Sequence, residues 1–91
     1  MALTHGMDVA QVRSSMAKIK NYADQLDNLK SVINTEMTKL RSVWSGQDAI
    51  KFADTDWRPY RDNMGSLAAA LRSLSDAGLR QANDQENVSR A

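Results

Sequence analysis

Cysteine is absent from the 91 residues, histidine and proline occur once each, glycine four times, and neither sign of charge prevails. Without cysteine there is no disulfide framework, no thiolate nucleophile and no sulfur ligand for a metal, so the redox compartment stays open. The one histidine, His5, has no acidic neighbour, and neither a general base nor a metal site can be assembled around it. Asp54 and Asp56 stand close together, but calcium takes six or more oxygens and no glycine-rich acidic loop follows them. These absences lead to an expectation of no enzyme activity, no cofactor and no metal. Twelve Lys and Arg against eleven Asp and Glu leave +1 with no basic cluster, which removes the electrostatic hold that nucleic acid requires. A mean hydropathy of −0.55, and no run near the ~18 apolar residues of a span, argue against stable membrane insertion. Met1 to Gly6 has neither the basic start nor the apolar stretch of a cleaved secretory signal.

What the chain does have is hydrophobic content, 42%, enough for one core in one domain covering residues 1–91. Its apolar residues keep a helical period. Val9, Val12, Met16, Ile19, Ala23, Leu26, Ile33, Met37, Leu40 and Trp44 alternate steps of three and four, with Lys30 alone breaking the series. Asp8 as N-cap, with Gln11 three residues on, places the first helix at about 8–44. Ile50, Ala53, Trp57, Tyr60, Met64, Leu67, Leu71 and Leu74 repeat the rule, which predicts a second helix over about 46–82 and a polar tail over 83–91. Pro59 lacks an N–H and its ring clashes with the carbonyl four residues back, so a bend is expected there.

Between the two periods lies Trp44-Ser45-Gly46. Gly46 has no Cβ and suits the left-handed conformation of a helix end, while Ser45 can cap the next helix with Asp48 at its third position. A turn at 45–46 forces the helices antiparallel. The expected fold is therefore all-α, an antiparallel two-helix hairpin with a Trp-Xaa-Gly turn. A period averaging 3.5 residues implies knobs-into-holes packing along one seam. A two-helix unit leaves apolar surface uncovered, so the hairpin is expected to dimerise into a four-helix bundle. Tyr22, Leu29, Val32 and Val43 on helix 1, with Ala68, Ala69 and Ala70 on helix 2, are the candidate partner interface. Lys30, a charge at a seam position, is a candidate determinant of partner choice.

Two helices of near-equal length, the Trp-Ser-Gly turn between them, and Phe52 and Trp57 shortly after it resemble the WXG-motif (ESAT/Esx-like) family of small proteins exported by type VII secretion systems. The likeness covers nearly the whole chain and extends more softly to Leu74–Gly78 and Glu86–Ser89. It implies that Trp44 and Gly46 are motif residues, and that a folded homodimer or heterodimer with another WXG-like chain is exported by a membrane ATPase machine. The protein would then be secreted without a cleaved signal, with a cytoplasmic pool before export. One departure stands out: exported members or one of each pair carry Tyr-x-x-x-Asp/Glu after helix 2, whereas tyrosine occurs here only at Tyr22 and Tyr60. The chain could be the signal-free half of a heterodimer, a homodimer with a divergent tail signal, or an intracellular escort of a larger substrate. The first of these makes export depend on a partner's tail. The contrasting reading from another class is an intracellular helical scaffold whose Trp-Ser-Gly turn is a generic corner.

Overall fold

The computed structural model describes residues 6–90, excepting the side chains of 89 and 90. His5 with the rest of the first five residues, and Ala91, lie outside the described residues. The protein is all-α. Helix α1 runs Val9–Val43, a short α2 covers Gln47–Ile50, a π-helical segment Lys51–Asp56 follows, and α3 runs Arg58–Arg90. No strand occurs among the described residues.

Asp8 starts α1 as its sequence position predicts: extended at φ −84° and ψ 94°, it accepts the Gln11 backbone N–H at 3.1 Å. The other end departs from expectation. Trp44 is the C-cap, extended at φ −120°, and donates its N–H to the Leu40 carbonyl at 2.8 Å. Gly46 has φ +104° and ψ 178°, a backbone region open essentially to glycine alone, and it caps the N-terminus of α2 instead of closing α1. Ser45 therefore does not cap, and Asp48 sits in the first turn of α2, where its charge meets the positive helix end.

Pro59 is accommodated by a change of helix type. The Trp57 N–H reaches back five residues to the Phe52 carbonyl at 3.1 Å, and ordinary α bonding resumes with Arg61 N–H to the Trp57 carbonyl at 3.0 Å. Pro59 thus falls in the first turn of α3, where a missing N–H removes no bond. A single bent helix over 46–82 is replaced by α2, the π segment and α3. The polar tail is also helical as far as Arg90, and Arg13 of α1 donates to Glu86 at 2.6 Å and to Asn83 at 2.7 Å there.

Helices α1 and α3 lie antiparallel along their length. Arg13 meets Glu86 at one end, Arg72 holds Asp24 and Asp27 in the middle, and Trp57 Nε1–H donates to Asn34 at 2.5 Å towards the other. On α1 the seam is the predicted one, every position from Val9 to Leu40 being buried or half-buried. On α3 the seam is turned by one residue. The wide π turn stacks side chains four apart, so Ala49, Ala53 and Trp57 align and the next positions inward are Arg61, Met64, Ala68, Leu71, Ser75, Gly78 and Ala82. Tyr60, Leu67 and Leu74, predicted as seam, point outward. The seam is made of small residues: Ala23, Ala68, Ser75 and Ala82 are each fully buried.

Candidate functional site

The pair of helices measures 67 × 18 × 14 Å with a radius of gyration of 20.1 Å, against about 12 Å for a compact chain of this length. Its exposed area is 6390 Å², whereas a compact monomer of 10.1 kDa would expose about 5,300 Å². An elongated pair of helices exposes more area than a compact chain of the same mass.

Large apolar side chains occupy that extra surface. On α1, Tyr22 is 56% exposed, Leu29 49% and Val32 50%; on α3, Tyr60 is 67%, Leu67 52% and Leu74 54%. The two stripes border the same side of the molecule, since one groove is lined by Ile33 and Met37 of α1 together with Phe52, Trp57, Pro59 and Tyr60. A second hollow, formed by Tyr22, Gln25, Leu26, Leu29 and Val32, continues the face along α1. Together they leave large apolar side chains of both helices exposed on one side of the molecule.

At the joint, the Trp44 ring packs against Phe52 with centroids 5.7 Å apart and planes tilted by 50°, while 41% of Trp44 stays exposed. Nearby, Lys51 pairs with Asp56 at 2.8 Å, and that hydrogen bond raises the ammonium's pKa. On the other side of Trp57, a polar hollow is bordered by Asn34, Arg41, Asp54, Arg58 and Arg61.

Of the predicted interface residues, Tyr22, Leu29 and Val32 form the exposed stripe of α1, and Val43, 81% exposed, stands beside Trp44. Ala69 and Ala70 are exposed, but Ala68 is fully buried against α1 and cannot meet a partner, a consequence of the one-residue rotation of α3. Lys30 lies over Gly65, with its Nζ 3.7 Å from Asp27, so its charge is answered within the chain. Asp27 also accepts from Arg72 at 2.7 Å, and chiefly this hydrogen bond lowers its pKa. Arg72, bound by Asp24 and Asp27, is raised.

Sequence reasoning missed Asn34, Ser75 and Gly78. The signal for Asn34 was present: a tryptophan assigned to a seam needs an acceptor for its indole N–H, and Asn34 adjoins the seam residue Ile33. Among the described residues no group of three or more His, Cys, Asp or Glu could hold a metal, and no helix is long and apolar enough to cross a membrane. Comparisons with known protein families, curated proteins and solved structures find no match.

Proposed function

We propose that this chain is a dimerising helical adaptor coupled to a type VII-like secretion system, acting by surface recognition and not by catalysis. The observation that carries the reading is the continuous apolar face of α1 and α3, left uncovered on one side of an elongated pair of near-equal helices, 35 and 33 residues long. Covering it with a second pair of helices gives a four-helix bundle. The joint supports the same reading. Trp44 is held by Phe52 yet partly open, and Gly46 has the backbone conformation that makes glycine necessary between Trp44 and α2. In this reading the bundle carries the Trp44 surface at its ends for a membrane ATPase machine, and the dimer crosses as a folded unit.

The test is export. The protein is expressed in a host with an intact type VII system and in one lacking its membrane ATPase, and supernatant and cell pellet are immunoblotted. ATPase-dependent appearance in the supernatant, reduced by Trp44→Ala without loss of dimer, is the expected result. Retention in the pellet of both hosts would replace this function with that of an intracellular scaffold.

A further inference from the structure

No run of basic residues occurs in the sequence, yet folding gathers three arginines at one hollow. Arg41 comes from the last turn of α1 and Arg58 and Arg61 from the start of α3, and the one carboxylate lining the hollow with them is Asp54 of the π segment. Two positive charges are therefore unanswered there, in a chain whose net charge is +1. Little of the arginines' donor capacity is spent inside the chain. Arg58 makes no hydrogen bond or ion pair among the described residues. Arg41 reaches Asp54 through one terminal nitrogen at 3.5 Å, the far limit of a hydrogen bond. Arg61 holds the adjacent Asp62, outside the hollow, at 3.3 Å through Nε and Nη2, which leaves Nη1 uncommitted. Asn34 adds further donors. The indole N–H of Trp57 fixes its amide by donating to the oxygen, so the nitrogen end, with two N–H groups, is the end left for the hollow.

We propose that this hollow binds a phosphomonoester dianion, at a site across Trp57 from the apolar groove and separate from the face assigned to a partner. Charge decides between anions. A phosphomonoester carries close to two negative charges at neutral pH and matches the two unanswered positive ones, whereas a carboxylate leaves one of them unmet. Its three acceptor oxygens can be shared among three arginines, and guanidinium forks pair with phosphate through parallel N–H bonds. The volume agrees with a small charged group: about 280 Å³, below the roughly 300–1,000 Å³ of pockets that enclose drug-sized ligands, with one side open for whatever the phosphate esterifies. Because Arg41 belongs to α1 and Arg58 and Arg61 to α3, a dianion held by all three ties the helices together beside the π segment. Phosphate on a small molecule and phosphate on a protein side chain present the same group to these arginines, and the attached portion separates them.

The two tryptophans provide the readout, since Trp57 lines the hollow and Trp44 does not. The full chain is titrated with inorganic phosphate at constant ionic strength, and the indole N–H signals are followed in proton–nitrogen correlation spectra. The Trp57 signal should move to saturation while that of Trp44 stays nearly still. Arg58→Gln, an exposed change that breaks no contact within the chain, should weaken binding about tenfold, the loss expected for one charge-assisted hydrogen bond. Arg80→Gln, the same change of charge at an exposed position of α3 outside the hollow, should leave affinity within about twofold. Acetate should bind at least about tenfold more weakly than phosphate. A Gly-phosphoserine-Gly peptide bound more than about tenfold tighter than inorganic phosphate would assign the source to a phosphorylated protein segment, and anything less to free phosphate or a small ester. No saturable shift of Trp57, or equal losses from Arg58→Gln and Arg80→Gln, would overturn the site. Acetate as tight as phosphate would overturn the phosphate assignment and make the hollow a receptor for acidic side chains.

Discussion

Ser75, fully buried on α3, donates its hydroxyl to the backbone carbonyl of Met16 on α1 at 2.8 Å. A side chain of two heavy atoms can reach a neighbouring helix's backbone only where the axes approach closely, and Gly78, one turn further on, shows how closely. A Cβ at Gly78 would run into the Met16 side chain, Cγ included, whereas one at Gly65 would find only Lys30 Nζ, at an ordinary 3.5 Å. The same substitution should therefore change sign between the two sites. Gly65→Ala should stabilise by up to about 1 kcal/mol through helix propensity. Gly78→Ala should destabilise by roughly 1–3 kcal/mol through overpacking. Urea melts of both variants check this, and a stabilised Gly78→Ala would show that the helices are not in close approach there.

Gly46 presents the opposite case. Nothing lies within 4 Å of where its Cβ would stand, yet its φ is +104°. The loss on substitution is then conformational and needs no clash, so even Gly46→Ala should be destabilised by about 1–3 kcal/mol, and the β-branched Gly46→Val by at least as much. Thermal melts decide, and an alanine variant as stable as the parent would show that the turn does not need glycine's backbone freedom.

The sequence made α1 legible from its cap to Leu40, because an uninterrupted α-helix preserves its period and Asp8 supplies the expected capping oxygen. It made α3 legible as a helix but not in its rotation. The π segment adds a residue per turn before Pro59, and nothing in apolar spacing announces a step of four where three is the rule. Hydrophobicity then favoured Tyr60, Leu67 and Leu74 for the seam, while the geometry placed Ala68, Ser75, Gly78 and Ala82 there. A seam of small residues gains stability from close approach, a property of the pair of helices that neither sequence half shows alone. The same rotation exposes the α3 stripe, so half of the candidate partner face was hidden inside a predicted core.

That rotation has a measurable consequence at Leu67. As a buried knob its truncation would cost about 2–5 kcal/mol. At 52% exposure in the single chain, Leu67→Ala should cost the monomer less than about 1 kcal/mol. Ala68→Leu should cost more, because a fully buried Ala68 leaves no room for three further carbons. Denaturation under dilute, monomeric conditions separates the two, and a larger loss from Leu67→Ala would return Leu67 to the seam.

Acid should weaken the hold of Arg72 on α1. The hydrogen bond from Arg72 is the main cause that holds the Asp27 carboxyl below its ordinary value, with the positive charges of Arg72 and Lys30 adding to it. A carboxyl whose pKa is lower folded than unfolded binds fewer protons in the native state, so its contribution is complete above the unfolded value of about 3.9 and declines as pH falls through the folded one. Stability should accordingly be level from pH 7 to about 5 and fall below about 4. Arg72→Met removes the donor that depresses Asp27, and its melting temperature should fall less than the parent's between pH 7 and pH 3. The size of the effect is limited, since Arg72 and Asp27 are each more than a third exposed and salt screens what water already weakens. Parallel curves for the parent and Arg72→Met across this range would mean that other carboxylates govern the acid limb and that Arg72 serves α1 and α3 through the packing of its stem.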